Sequence, residues 1–226
     1  MIRIEKLHKF FGKNRVLNGI DLELGKGKVY GIVGANGAGK TTLFRCIAGL
    51  EDYEGEVVTE YFDIKNHLGY IQTQPIFLSK VTGWEHLKLS CLARGISRDD
   101  FDKQNLFDLP LSEYADNYST GMKKKLALMC VLLQENEVFI LDEPFNGVDI
   151  QSNILISEVM NKLKSKGKTI LISSHIFSTL KDHCDMIHLL KEGAIQKSVL
   201  PASFDILEGE MRSMTIGDKM EGFDLY

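Results

Sequence analysis

The chain has 226 residues, 44% hydrophobic and 26% charged, enough for one large domain with a sizeable core. Its 27 Lys and Arg against 31 Asp and Glu give a formal net charge of −4, so no global field draws it to nucleic acid or anionic lipid, and no nucleic-acid partner is expected. The longest apolar run, residues 126–133, is far shorter than the roughly 18 residues of a spanning helix, and four scattered cysteines without C-x-x-C spacing suit free thiols in a reducing compartment.

Ile2-Arg3-Ile4-Glu5 alternates as a strand does and is not a signal peptide. Ile20, Leu22 and Leu24 alternate with Asp21 and Glu23, a second half-buried strand. Residues 29–33 form a short apolar run suited to a buried strand. A glycine-rich loop and a helix over 41–48 follow. From about 82 to 136 the pattern is helical, with Trp84, Leu87, Cys91 and Leu92 near one face and Gly95 ending that segment. Ser97-x-x-Asp100 predicts a capping box for a next helix, and Ser119 the cap of a third that runs through 126–133. Lys123-Lys124-Lys125 reads as the solvated first turn of that helix. Strands are expected at 138–141, 169–173, 186–190 and 194–197, and a helix at 150–164. Such alternation indicates an α/β sheet core, and no linker divides residues 1–226. The tail after about residue 200 is weakly patterned and receives no role.

Gly34-Ala35-Asn36-Gly37-Ala38-Gly39-Lys40-Thr41 matches G-x-x-x-x-G-K-S/T without a gap. It stands where the chemistry needs it, after a buried strand and before a helix. Glycines let the backbone bend so that several N–H groups face phosphate oxygens, and the helix N-terminus adds partial positive charge. Lys40 is expected to reach β- and γ-phosphates, and the Thr41 hydroxyl to ligate Mg²⁺. The apolar strand at 138–141 ends in Asp142-Glu143-Pro144. Asp142 there can hold Mg²⁺, and Glu143 can orient or deprotonate an attacking water.

Six further segments give the chain a family likeness. Tyr118-Ser119-Thr120-Gly121-Met122 resembles the Leu-Ser-Gly-Gly-Gln signature of ABC ATPases, keeping the serine and second glycine but with Thr120 and Met122 at the third and fifth positions. Asn146-Gly147-Val148-Asp149 resembles the D-loop, Ser173-Ser174-His175 the switch-histidine motif, and Phe11-Gly12 the aromatic position that stacks on adenine. Cys184-Asp185 and Leu190-Lys191-Glu192-Gly193 fit the family's last strands. The likeness therefore runs from about Ile2 to Lys197.

The resemblance implies a P-loop NTPase core with an N-terminal antiparallel β-portion and an inserted α-helical subdomain near residues 76–135. It implies ATP and Mg²⁺ as ligands. Phe11, Gly34, Asn36, Gly37, Ala38, Gly39, Lys40, Thr41 and Thr42 would contact nucleotide, Thr41 and Asp142 would hold the metal, and Glu143, His175 and Lys40 would be catalytic. Ser119 and Gly121 would reach the nucleotide of a second copy, or of a homologous ATPase subunit. Hydrolysis would power separate membrane permease chains and place this protein in the cytoplasm, peripheral to the inner face of the membrane. A soluble ABC-type ATPase not coupled to transport is the alternative.

The family's Q-loop residue, a glutamine, is offset from its motif. Counting forward from Gly69 and back from Thr82 both land on Thr73, whose neighbours are Gln72 and Gln74. In an extended segment both glutamines face away from the side of Thr73. A one-residue bulge would re-aim one of them, and the expectation is that Gln74 takes the role.

Overall fold

The computed structural model describes residues 1–220; residues 221–226 of the tail lie outside it. Alternating apolar residues carry the N-terminus into β1 (Ile2–Phe11) and β2 (Asn14–Leu24), paired antiparallel with Ile2 opposite Leu24 and Ile4 opposite Leu22. β3 (Val29–Val33) does not alternate, and all five of its residues are buried, as expected of a strand covered on both faces. The glycine-rich loop leads into α1 (Lys40–Ile47), which buries Leu43, Phe44 and Ile47. β4 (Glu54–Thr59) pairs antiparallel with β1 and completes a three-stranded sheet in the order β2-β1-β4.

β5 (Leu68–Ile71) opens the helical middle. α2 (Gly83–Leu92) starts with a capping box: Glu85 N–H donates to Thr82 Oγ1 at 3.2 Å, and Thr82 N–H to Glu85 Oε2 at 2.7 Å. The capping box thus belongs to Thr82-x-x-Glu85 and not to Ser97-x-x-Asp100. Asp100 is taken by Arg98, at 2.8 and 3.0 Å, and residues 101–104 make only a turn. The chain from 93 to 118 is irregular apart from one 3-10 turn at Ala115–Asn117, and it is pinned by buried Phe101, Phe107, Leu109 and Leu111. Each anchor enters the core separately, so no helical stripe is required. Leu92 does not share the buried face of α2: Leu87 and Cys91 are buried and Leu92 is exposed. α3 (Thr120–Leu133) is capped by the Ser119 hydroxyl, which accepts from Met122 N–H.

β6 (Val138–Asp142), α4 (Ile150–Ser165), β7 (Thr169–Ser174), the short α5 (Phe177–Lys181), β8 (Met186–Lys191) and β9 (Ala194–Val199) complete the α/β alternation. The second sheet has six strands in the order β5-β6-β7-β3-β8-β9, parallel except for β9. The weakly patterned tail forms α6 (Phe204–Met220), anchored by buried Phe204 and Leu207 and by ion pairs from Lys181 to Asp205 and Lys197 to Glu210. One apolar cluster joins Leu87, Phe101 and Leu126 of the helical middle to Ile71, Phe139 and Leu141 of the large sheet. A second fills the space between the antiparallel sheet, α1 and the other face of the large sheet.

Strand register aligns the chemistry-bearing residues. Asp142 at the end of β6 is level with Ser173 of β7, and Val33 at the end of β3 is level with Ser174. The carboxyl ends of β6, β7 and β3 therefore lie side by side, the edge at which open parallel sheets bind ligands.

Candidate functional site

The loop after β3 curls tightly because glycine permits it. A Cβ on Gly34 would sit 2.3 Å from the Leu190 carbonyl oxygen, and Gly39 has φ of +106° where it starts α1. No side chain caps α1, so its first N–H groups are left facing the loop. Inside the curl, Lys40 Nζ donates to the carbonyls of Gly34 and Ala35 at 2.8 and 3.2 Å. Burial lowers the Lys40 pKa, while the carboxylates of Glu143 and Asp142 oppose that shift. The ammonium is 3.9 Å from Glu143 Oε1.

Asp142 is buried and accepts from three hydroxyls. Its Oδ2 accepts from Thr41 Oγ1 at 2.6 Å and from Thr73 Oγ1 at 2.7 Å, and its Oδ1 from Ser173 Oγ at 2.5 Å. Glu143 has φ of +52°, a left-handed conformation that side chains rarely adopt. Its N–H donates to Ser173 Oγ at 3.0 Å, and its carbonyl accepts from Lys124 Nζ at 2.7 Å. Its carboxylate meets His175 Nδ1 at 2.8 Å.

The resulting cleft, about 340 Å³, is lined by Asn36, Gly37, Gly39, Lys40, Thr41 and Thr42 together with Asp142, Glu143, Val16 and Thr73. Uncapped helix N–H groups and a buried ammonium fit phosphate oxygens. The Thr41 and Thr73 hydroxyls beside the Asp142 carboxylate are the hard oxygen set that Mg²⁺ prefers.

Gly34 and Ala38 line the far side of the loop. Phe11 is exposed, with the Lys9 ammonium 4.7 Å from its ring centroid. Ser119 and Gly121 do not line the cleft of their own chain. Ser119 is exposed, and Gly121 packs so closely that a Cβ there would be 2.9 Å from the Gly147 carbonyl oxygen.

Two residues are placed otherwise than expected. The residue that meets Asp142 is Thr73, whereas Gln74 is exposed. β5 ends at Ile71, opposite Leu141, and the chain bends at residues 73 and 74 beyond it, with Thr73 turned to Asp142 and both Gln72 and Gln74 exposed. The three lysines after the signature segment are not one solvated turn. Lys124 is 4% exposed and donates to the carbonyls of Glu143 and Asn146 at 2.7 and 2.6 Å, while Lys125 pairs with Asp149 at 2.7 Å. The sequence does carry a signal for this. Lys124 stands four and seven residues before Leu128 and Val131, on the face that those two bury.

The family model described as ABC transporter matches residues 17–146. The lantibiotic transport ATP-binding protein SrtF of Streptococcus pyogenes is 31% identical over 204 residues, covering 86% of this chain and 89% of that protein. Among solved structures, an ATP-binding subunit of an ABC transporter superposes with a TM-score of 0.84 at 28% identity, covering 92% of this chain and 93% of that one. The ATP-binding cassette MJ0796, a dimer in a post-hydrolysis state bound to ADP and Pi, shares the fold with a TM-score of 0.81 at 19% identity, covering 89% and 99%.

Proposed function

The chain belongs to the ABC transporter family as an ATP-binding and ATP-hydrolysing subunit, and from that premise we propose that its cleft hydrolyses Mg-ATP between two copies of the chain. One observation carries the reading: the phosphate loop, Asp142 and Glu143 line a single cleft, with His175 hydrogen-bonded to Glu143.

In this reading the N–H groups of residues 36–41 and the Lys40 ammonium bind the phosphates of ATP. Thr41 and Asp142 hold Mg²⁺, with Thr73 beside them on the same carboxylate oxygen. Mg²⁺, when bound, supplies neutralisation of phosphate charge. Glu143 accepts the proton of the attacking water, and a carboxylate held at a fixed place beside the loop is suited to that task. His175 Nδ1 orients the Glu143 carboxylate, and its Nε2, without a hydrogen bond among the described residues, can face the γ-phosphate. Phe11, exposed ahead of the loop, offers a face for the adenine ring.

Ser119 and Gly121 require a second copy. They sit at the start of α3, off the cleft of their own chain, and an exposed capped helix start fits the γ-phosphate of a neighbour. The dimeric cassette of the same fold supports that arrangement. No described helix is long and apolar enough to cross a membrane; in this reading, which the transport relatives support, the transport path belongs to separate permease chains and this subunit works at the membrane surface through them. The helical middle, about 76–135, is its inserted subdomain. Transport relatives such as SrtF favour this over an ATPase uncoupled from transport.

Phosphate release from Mg-ATP tests the proposal. Wild type turns over, while Lys40→Ala and Glu143→Gln each lose at least ~10² in rate, the usual cost of one electrostatic or acid–base group. Wild-type turnover in Lys40→Ala overturns it.

A further inference from the structure

Glu143 occupies a conformation that the backbone resists. Its φ is +52°, and its neighbour in the chain is Pro144, whose ring pushes the preceding residue toward extended geometry. Such a residue persists only where its surroundings over-determine it. Its N–H is held by Ser173, on β7. Its carbonyl is held by the buried ammonium of Lys124, on α3, which at the same time holds the Asn146 carbonyl. Asn146 N–H closes the turn back onto the Glu143 carbonyl at 3.2 Å. Lys124 thus ties down both ends of the turn that carries the carboxylate.

We propose that Lys124 is a positioning residue for hydrolysis: it locks the left-handed turn at Glu143 and, because it sits on the helix that begins at Ser119, links the neighbouring copy's nucleotide site to the carboxylate of its own. This rests on Glu143 acting as the base and on Ser119 engaging a neighbour's nucleotide.

Three contacts bind the start of α3 to the turn as one body. Gly121 abuts Gly147, Lys124 bridges two carbonyls, and Lys125 pairs with Asp149. A shift of α3 when a neighbouring nucleotide engages Ser119 therefore reaches Glu143 through a side chain that cannot slacken without leaving a buried charge unmatched. Burial lowers the Lys124 pKa, against the opposing pull of Glu143 and Asp142, so its two carbonyl partners compensate a real desolvation cost. Lys124 touches neither substrate nor reacting atoms, and its effect is on placement alone.

The test compares Lys124→Met, which keeps much of the length and loses every donor, with Lys124→Gln, which keeps an amide donor. Turnover, KM for Mg-ATP and the Kd of a fluorescent ADP analogue are measured for each, with Glu143→Gln as reference. A misplaced catalytic group costs about 10²-fold. The expected result is a kcat lowered about that much in Lys124→Met, less in Lys124→Gln, with KM and ADP Kd within about twofold of wild type. A crystal structure of Lys124→Met is expected to show Glu143 outside the positive-φ region. The proposal is overturned if kcat in Lys124→Met stays near wild type, if binding falls in parallel with kcat in both variants, or if Glu143 keeps its conformation without the lysine. Should Glu143→Gln itself turn over normally, the role given to Glu143 fails instead, and the crystallographic result still decides whether Lys124 sets the turn.

Discussion

Three hydroxyls surround the two oxygens of Asp142, and each comes from a different part of the chain: Thr41 from α1, Thr73 from beyond β5, Ser173 from β7. Ser173 is the most buried of them, and it also receives the Glu143 N–H, so one hydroxyl fixes both carboxylate residues. We propose that Thr73 takes the place of the family's glutamine in this chain. Its hydroxyl reaches the Asp142 carboxylate, while the longer Gln72 and Gln74 side chains are exposed. Thr73→Ala is expected to lower turnover several-fold, since Asp142 loses a donor that helps hold it beside Thr41. Gln74→Ala and Gln72→Ala are expected to stay near wild type. Steady-state phosphate release by the three purified variants checks this, and a loss confined to Gln74→Ala would reverse the ranking.

Among the helices and strands, it is the helix termini that carry the site. α1 is left uncapped where phosphate would bind, whereas α2, α3 and α4 are each capped by a side chain: Thr82, Ser119 and Asp149. Asp149 accepts from Ser152 N–H and Oγ, both at 2.9 Å, and pairs with Lys125 at 2.7 Å. The Lys125 hydrogen bond, followed by those from Ser152, holds its pKa below the ordinary aspartate value of 3.8. A carboxylate depressed in the folded state stabilises that state above its unfolded pKa, and this contribution is lost as pH falls through the folded value. Asp149→Asn keeps a capping oxygen and removes the charge. Its melting temperature is expected to lie below wild type at pH 7, and the gap to narrow once the pH drops below 3.8. Thermal melts of both proteins across that range test it; a gap that persists unchanged in strong acid would assign the effect to packing.

Two apolar clusters, one on each face of the large sheet, hold the protein together, and the irregular chain from 93 to 118 is anchored in the first beside the helices that flank it. The cleft at the edge of that sheet is incomplete in a single copy under the proposed mechanism, because Ser119 and Gly121 lie outside it. ATP then acts as the bond between copies, and removing the base while keeping binding should trap that state. Glu143→Gln is expected to elute as a dimer in Mg-ATP and as a monomer without it, since the amide still accepts hydrogen bonds but is a poor base. Size-exclusion runs at several protein concentrations decide the matter. A species that stays monomeric at saturating Mg-ATP argues against pairing through the nucleotide.

Residues close together in sequence are legible without coordinates. The phosphate loop between β3 and α1, the acidic pair at the end of β6 and the Ser119 cap are local patterns, each set by backbone geometry within a few positions. Even Thr73 is reached by counting, while which of residues 72–74 meets Asp142 is decided by the bend beyond β5. The capping box falls elsewhere for a different reason. Ser97 and Asp100 have the right spacing, but Arg98 captures the aspartate, and buried Phe101 and Phe107 draw the chain into the core one side chain at a time. Lys124 shows the boundary most clearly. Its helical phase against Leu128 and Val131 is present in the sequence, yet a run of three lysines reads as solvated. What reverses that reading is the turn at Glu143 and Asn146, about twenty residues further along the chain, whose two carbonyls supply the partners a buried ammonium needs. A buried charge is decided by partners brought to it through tertiary packing, and no window of neighbouring residues contains them.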